Sequence, residues 1–271
     1  MKKKEFDEKD TKAIIEMYLE KNMSLKSIGE EFLVSKNIIK RILEECNVAI
    51  RKKTTKYRQK TEIFSSIDSD EKAYWLGFVA ADGCVYKNKE NSGTVIVSLH
   101  RKDKKHLERM KEFIGSDREI SDYISNTGFG NNTPMSRLEI YSTQMVDDIV
   151  EKGVCQKKSL TLKPPLIDQK YWKSFILGYF DGDGSIYKMS QSSNWGFSIL
   201  GTFEMVSWIK EVLDLHDTKI EKQKNVFYIR CGGTNKPYSA LKKLYHNDIY
   251  SLERKKVLFK EMEKVVLSRN I

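Results

Sequence analysis

Two stretches of this chain, 101 residues apart, repeat one pattern: Trp75-Leu76-Gly77-Phe78-Val79-Ala80-Ala81-Asp82-Gly83-Cys84-Val85-Tyr86-Lys87 and Ile176-Leu177-Gly178-Tyr179-Phe180-Asp181-Gly182-Asp183-Gly184-Ser185-Ile186-Tyr187-Lys188. Each copy is an apolar, helix-like run that ends on an Asp, followed by a Gly and a strand-like run. A repeat of this length predicts one unit duplicated into two halves of a pseudo-symmetric body. It also predicts one carboxylate per half, Asp82 and Asp183, at the same place in each.

Composition narrows the class of protein around this repeat. The chain has 271 residues, 39% of them hydrophobic, which suits one large or two modest domains with a real core. Its formal net charge is +10. A basic balance of this size favours a polyanionic partner, most plausibly nucleic acid, while the alternative is solubility alone.

The cysteines and histidines predict neither a disulfide framework nor a zinc site. The four Cys residues are scattered, and the four His residues show no metal-ligand spacing with them. No segment resembles a signal peptide or a membrane span. We therefore expect a soluble, intracellular protein, in the cytoplasm of a bacterium or phage-infected cell or in an organelle matrix.

Residues 1–50 are predicted to form a small all-α domain. Helical periodicity begins at Thr11, and Ser24 and Ser35 are predicted to cap a second and a third helix on either side of a turn at Leu33-Val34. This is a helix-turn-helix pattern, in which the exposed face of the last helix enters the major groove. The alternative is a plain three-helix bundle with a solvated basic face. The residues predicted to contact DNA are Lys36, Asn37, Lys40 and Arg41.

A basic segment follows the helical domain. Residues 51–60 contain six Lys or Arg residues and no acidic residue. We interpret residues 51–64 as a linker that follows the phosphate backbone, with Arg51, Lys52 and Lys53 as DNA contacts.

The remaining residues, 65–271, are predicted to form one duplicated domain with halves at about 65–163 and 164–271. The pattern in each half is helix, strand, strand, helix, strand, strand, helix, and a long closing helix is expected from Leu252. Pro164-Pro165 stops a helix between the halves. The predicted fold class is therefore α+β.

The repeated motif indicates a chemistry as well as a fold. Gly77 and Ala81, like Gly178 and Gly182, are four residues apart and clear one helix face, so the two helices can pack closely. Asp82 and Asp183 would then lie side by side. The alternative is that each Asp-Gly is only a helix stop. Two carboxylates at helix C-termini are unfavourable without a cation, however, so the pair favours a Mg²⁺ site for phosphodiester hydrolysis.

Both motifs resemble the signature of the LAGLIDADG homing endonucleases. The second copy keeps Gly178, Asp181, Asp183 and Gly184, whereas the first has Ala80 where the first Asp of the motif would stand. The resemblance covers about residues 65–271. It implies duplicated αββαββα halves, a pseudo-two-fold helix interface and a β-saddle that binds DNA. Since the family's catalytic acid is the second Asp, we expect the Ala80 departure to affect helix packing more than catalysis.

The resemblance also implies a set of site residues. Asp82 and Asp183 would be metal ligands, and the carbonyls of Ala81 and Gly182 would be further ones. Mg²⁺ would be the cofactor, Mn²⁺ would substitute, and Ca²⁺ would bind without supporting cleavage. A late basic residue in each half would polarise the attacking water or steady transition-state charge. The candidates are Lys158 and Lys255, with Lys157 and Arg254 as rivals; the alternative is that they are ordinary surface lysines.

DNA contacts are expected from side chains that alternate along the strands. The second strand would end on a water-positioning residue, which Arg101 could supply in one half, whereas Gly201 offers no side chain in the other. A strand parity shifted by one would exchange the whole face. The other predicted contacts are Tyr86, Asn88, Ser98, Tyr187, Gln191 and Ser198.

The sequence therefore predicts a site-specific double-strand DNA endonuclease that acts as a monomer on a long, asymmetric target. The N-terminal domain would extend the recognised site. The alternative from another class is a nucleic-acid binder that does not cleave, either an RNA maturase or a transcription regulator. Retention of both Asp82 and Asp183 disfavours the regulator. An intein is disfavoured because Met1-Lys2 and Asn270-Ile271 are not the splicing residues expected at its junctions.

Overall fold

The structure of the chain is a computed structural model, and it describes residues 6–21, 23–50, 57–88, 91–126, 132–156, 158–189, 194–245 and 250–269. These residues fall into two compact units. One ends before residue 57, and the other begins at Tyr57. Each unit has its own hydrophobic core.

Three helices make up the first unit: α1 (Glu8–Leu19), α2 (Leu25–Glu31) and α3 (Lys36–Glu45). Helix α1 begins earlier than the periodicity predicts because the Asp7 side chain accepts a hydrogen bond from the Asp10 amide. Ser24 caps α2 in the same way, through the Ser27 amide. Ser35 occupies the cap position of α3, but its side chain makes no capping hydrogen bond, contrary to our prediction. The buried core residues are Ile14, Tyr18, Ile28, Ile39, Ile42 and Leu43.

The second unit begins inside the segment that we interpreted as a linker. The backbone amides of Arg58 and Lys60 donate hydrogen bonds to the Asp117 carboxylate (2.9 Å) and the Ile114 carbonyl (2.9 Å). Ile63 and Phe64 are buried in the larger core. The linker boundary at residue 64 was therefore placed too late, because residues 57–64 are held by hydrogen bonds and apolar burial that a charge count does not reveal.

The first half of the larger unit follows the predicted order. Its elements are α4 (Asp70–Asp82), β1 (Gly83–Lys87), β2 (Gly93–His100), α5 (Lys104–Ile114), β3 (Ser121–Ser125), β4 (Thr133–Tyr141) and α6 (Thr143–Glu151).

The second half repeats that order, and a long helix closes the unit. Its elements are α7 (Trp172–Asp183), β5 (Gly184–Lys188), β6 (Trp195–Gly201), α8 (Phe203–Val212), β7 (Ile220–Gln223), β8 (Val226–Gly232), α9 (Asn235–Lys242) and the closing helix α10 (Glu253–Arg269). The two-halved α+β fold expected from the repeat is confirmed.

Each half contains one antiparallel four-stranded sheet, in the orders β1-β2-β4-β3 and β5-β6-β8-β7. The registers match between the halves, since Gly83 pairs with Val97 and Gly184 pairs with Ile199. Buried and more exposed residues alternate along β2, so one sheet face packs on the core and the other does not.

The two motif helices, α4 and α7, form the main contact between the halves. A methyl group at Gly77 would lie 2.0 Å from the Phe175 carbonyl oxygen, and one at Gly178 would lie 1.9 Å from the Tyr74 carbonyl oxygen. Only glycine allows the two backbones to approach this closely. The small-residue spacing predicted this packing, and the structure confirms it.

None of the described helices has the length and apolar character needed to cross a membrane. All four cysteines are free thiols.

Candidate active site

The two motif carboxylates lie next to each other at the ends of α4 and α7. Asp82 is the last residue of α4 and Asp183 is the last of α7. A methyl group at Gly182 would lie 2.3 Å from the Ala81 Cβ and 3.3 Å from the Asp82 carboxyl carbon. The close helix contact therefore continues to the last turn, where it brings the two acids together.

Burial and charge repulsion make this acid pair unfavourable. Burial, with the Asp183 charge as the second cause, raises the pKa of Asp82 from 3.8 to about 6. Burial also raises the pKa of Asp183. Lys158 and Lys255 oppose both shifts electrostatically, so four charged groups share this site.

Lys158 and Lys255 bind the C-terminal ends of the two motif helices. The Lys158 ammonium donates to the Ala81 carbonyl at 2.8 Å, and the Lys255 ammonium donates to the Phe180 and Asp181 carbonyls at 2.6 and 2.7 Å. Cations at helix C-termini favourably oppose the helix dipole. Lys255 is 1% exposed, so it is not an ordinary surface lysine. Its burial lowers its pKa to about 8, and burial also lowers the pKa of Lys158.

The other basic candidates are placed differently. Arg254 is half-exposed and its guanidinium pairs with Asp103 at 3.1 Å. Arg101 lies in the short 3-10 turn after β2, and its nearest acidic partner is Asp122 at 3.9 Å. The β-sheet register makes Phe203, not Gly201, the counterpart of Arg101. Lys157 lies outside the described residues.

Asp181 is a buried acid whose surroundings sequence reasoning missed. Its Oδ2 accepts hydrogen bonds from the Tyr74 hydroxyl and the Leu252 amide, both at 2.7 Å. Tyr74 also contacts the His106 Nε2 at 2.9 Å, and burial lowers the pKa of His106 to about 3. This network ties α7 to α4, α5 and the start of α10. A charged residue within an apolar helix is the signal that pointed to it, and Ala80 removes the equivalent network from the other half.

Tyr179 is the second residue that sequence reasoning missed. Its hydroxyl donates to the Leu200 carbonyl at 2.9 Å, and it also lies close enough to hydrogen-bond the Asp183 carboxylate, which lowers the pKa of that acid. A cavity of about 180 Å³ opens beside it, lined by Ala81, Lys158, Asp183 and Gly201 among others. No sequence signal separated this tyrosine from the core aromatics of the motif.

The strand residues predicted to read DNA lie on the sheet face opposite the core. Tyr86 is 51% exposed, between the buried residues of β1 and the end of the strand. Ser98 and Ser198 occupy equivalent positions on β2 and β6, opposite Arg137 and Arg230. Tyr187 shares this face of β5. Asn88 instead follows β1 and its side chain accepts from the Ser92 amide at 2.8 Å, within the hairpin. Gln191 lies outside the described residues.

In the first unit, the four predicted DNA contacts share the exposed side of α3. Lys40 and Arg41 each form an exposed ion pair one turn ahead, with Glu44 and Glu45 at 3.5 Å. Such pairs contribute little to stability and exchange readily for other partners. Lys36 and Asn37 are exposed in the first turn of the helix. Arg51, Lys52 and Lys53 lie outside the described residues.

The donor atoms at the acid pair suit a hard divalent cation. Among the described residues, no group of three or more His, Cys, Asp or Glu side chains could hold a metal ion. Two carboxylates leave most coordination positions of a Mg²⁺ ion open for water and phosphate, which is how this ion is commonly bound. A cation here would also relieve the repulsion that raises the pKa of Asp82. The residues present therefore fit such an ion.

The fold and site define a class of protein: two αββαββα halves joined through glycine-bearing helices, each of which delivers one acid to a shared site. A sequence profile of the LAGLIDADG-like domain matches residues 69–152, from the N-cap of α4 to the end of α6. The chain thus contains a LAGLIDADG-like domain, and the resemblance inferred from the motifs is confirmed. No curated protein matches the chain in sequence.

Several solved structures are similar to this chain. The meganuclease I-SmaMI bound to uncleaveable DNA is 16% identical, with a TM-score of 0.46 over 72% of this chain and 89% of that one. The LAGLIDADG meganuclease I-AabMI bound to uncleaved DNA is 15% identical, with a TM-score of 0.48 over 74% and 92%. The LAGLIDADG homing endonuclease I-GzeII in complex with its DNA target is 15% identical, with a TM-score of 0.47 over 73% and 91%. Likeness at this level does not define the activity of this chain.

Proposed function

We propose that this protein is a site-specific, metal-dependent double-strand DNA endonuclease. The observation that carries the proposal is the pair of buried acids at the ends of α4 and α7. Burial and the charge of Asp183 raise the pKa of Asp82 to about 6. An arrangement this unfavourable in the free protein is expected where a cation completes a catalytic site.

Asp82 and Asp183 would hold divalent metal, Mg²⁺ in the first place, with Mn²⁺ as a substitute and Ca²⁺ as a non-catalytic ligand. The bound ion would supply Lewis-acid activation of water and neutralise charge on the phosphate. Gly182 would add a carbonyl ligand. Ala81 would do so through the lone pair that Lys158 does not use, since the ammonium already donates to that carbonyl.

Lys158 and Lys255 would act electrostatically on the phosphate. Both ammonium groups are fixed by backbone carbonyls at the helix ends, so they need little reorganisation when negative charge develops. Each half would cut one strand, which makes a monomer sufficient and allows an asymmetric target.

Sequence recognition would come from the outer faces of the two sheets and from α3. The outer positions of β1, β2, β5 and β6 carry Tyr86, Ser98, Tyr187 and Ser198, and β4 and β8 add Arg137 and Arg230 opposite the two serines. The net charge of +10 supports a polyanionic partner. The basic face of α3 would add contacts with DNA beyond the cleaved site.

The deciding experiment is cleavage of a randomised duplex DNA library in Mg²⁺, followed by sequencing of the ends. We expect double-strand cuts at one long motif, no cuts in Ca²⁺, and no cuts by the Asp82→Asn/Asp183→Asn variant. Sequence-selective capture of DNA without Mg²⁺-dependent cuts would overturn the proposal in favour of a regulator of the same fold. Preference for a structured RNA over the duplex would favour a maturase.

A further inference from the structure

The two halves of the site differ at one coupled pair of positions. Phe78 and Tyr179 each lie one turn before the motif acid of their half. The matching registers, with Gly83 opposite Val97 and Gly184 opposite Ile199, make Leu99 and Gly201 equivalent two residues further on. The first half therefore combines Phe78 with Leu99, whereas the second combines Tyr179 with Gly201.

Gly201 makes room for the tyrosine hydroxyl. A methyl group at Gly201 would lie 2.7 Å from the Tyr179 oxygen, which is too close for any other residue at that position. The exchange adds one oxygen atom on α7 and removes a whole isobutyl side chain from the strand. It therefore leaves unfilled volume next to the hydroxyl instead of a repacked core, which costs stability.

The unfilled volume is a polar cavity that ends at the acid pair. It measures about 180 Å³ and is lined by Tyr179, Gly201, Asp183 and Lys158, together with Ala81 and Leu200. A water molecule needs roughly 30 Å³ and two to four polar partners, so this cavity has room for several waters. Because the hydroxyl donates to the Leu200 carbonyl, its lone pairs remain to accept a hydrogen bond from a water in the cavity.

We propose that Tyr179 positions the attacking water in the second half of the site, a role that the first half assigns to no side chain at either equivalent position. This inference rests on the proposed endonuclease function. In the step concerned, the water oxygen bonds to phosphorus and the ester P–O bond breaks. The leaving oxygen takes up a proton, and the proton of the water passes to solvent through the cavity. Tyr179 is a positioning residue, and it keeps its own proton.

The test is a strand-resolved, single-turnover cleavage assay on the duplex recovered from the library, with each strand labelled separately in Mg²⁺. Tyr179→Phe should slow one strand about 10- to 100-fold and leave the other unchanged, because a misplaced reactant costs up to this much. Nicked duplex should accumulate. The matched control is Tyr245→Phe in the same half, since that buried hydroxyl has no hydrogen-bond partner among the described residues.

A rescue variant separates positioning from packing. In Tyr179→Phe/Gly201→Ser the strand supplies a hydroxyl from the position that the tyrosine oxygen has vacated, so the slowed strand should recover. Duplex binding in Ca²⁺, by fluorescence anisotropy, and thermal unfolding should be the same for Tyr179→Phe and the unaltered protein.

The outcomes distinguish the two proposals. If the unaltered protein cuts both strands and Tyr179→Phe slows both equally or neither, the inference about Tyr179 is wrong and the endonuclease function stands. The same holds if the serine variant restores nothing. If the unaltered protein cuts neither strand, the proposed function fails, and this inference fails with it.

Discussion

At the scale of single residues, the second half of the site is more elaborate than the first. Asp181 has a hydrogen-bonded, fully buried carboxylate on Tyr74 and the Leu252 amide, where the first half has Ala80. Lys255 correspondingly binds two carbonyls where Lys158 binds one. The two acids that define the site therefore lie in unequal surroundings.

Replacing Asp183 by Asn should abolish double-strand cleavage, lowering its rate at least about 100-fold, and leave DNA binding largely intact. The amide keeps the shape of the side chain but removes the charge that would hold the cation. Cleavage rates in Mg²⁺ and binding in Ca²⁺ measure the two effects. The matched control, Asp217→Asn, removes an exposed acid from the same half and should cleave normally. Undiminished cleavage by Asp183→Asn would falsify its assigned role.

Replacing Asp82 by Asn should stabilise the folded protein in the absence of metal, by about 1 to 3 kcal/mol at about pH 8. The folded-state pKa of Asp82 is raised from 3.8 to about 6, so charging this group costs folding free energy as the pH rises through that range. Below about pH 4 the carboxyl is protonated in both folded and unfolded states, and the advantage should vanish. Urea unfolding of both proteins across pH measures it. An equal stability at pH 8 would contradict the burial and repulsion described here.

At the scale of helices and strands, the interface between α4 and α7 determines the geometry of the site. Glycines at the helix crossing let the backbones touch, and Gly182 continues the contact up to the acids. The sheets then start directly at Gly83 and Gly184, so the recognition strands are joined to the catalytic helices without a loop. A change in helix spacing would therefore move both acids and both sheets.

Gly178→Ala should destabilise the protein by about 3 kcal/mol or more, because the new methyl group would lie 1.9 Å from a backbone oxygen of the facing helix. Neither backbone can move away without separating the halves. Gly232→Ala is the control, since a methyl group there would come no closer than 3.9 Å to the nearest side chain. Denaturant unfolding compares the two. Equal losses of stability in both variants would show that the helix contact is looser than the structure indicates.

At the scale of the whole molecule, one chain combines a three-helix unit with a duplicated domain. The first unit has its own apolar core, so its stability does not depend on burying surface elsewhere. Its exposed cations on α3 are held only by surface ion pairs. Its predicted role is to add affinity and to lengthen the recognised site.

The variant Lys36→Ala/Lys40→Ala/Arg41→Ala should bind the target more weakly and show a flatter salt dependence, by up to about 0.9 log units per lost phosphate contact. It should still cleave at high protein concentration, since the acid pair is unchanged. Binding across a range of KCl concentrations measures the slope. The control removes the same charge from exposed positions elsewhere in the unit, with Lys12→Ala/Lys21→Ala/Lys26→Ala. An identical slope for the two variants would remove α3 from the DNA interface.

The sequence by itself determined the duplication, the order of helices and strands in each half, and the identity of the two acids. These features follow from local patterns: apolar periodicity, Asp-Gly helix ends and the spacing of small residues. The Lys158 and Lys255 candidates also came from their positions in the repeat. Gly201 was noticed only as a missing side chain.

The tertiary structure alone decided how these residues meet. It buried Lys255 against two carbonyls, gave Asp181 its partners on three other elements, and placed the Tyr179 hydroxyl in the space that Gly201 leaves. It also assigned residues 57–64 to the larger unit. These outcomes depend on contacts between residues as far apart as 107 positions in the chain, such as Tyr74 with Asp181. The pKa shifts at the site have the same origin, because burial is a property of the packed molecule and not of any segment of its sequence.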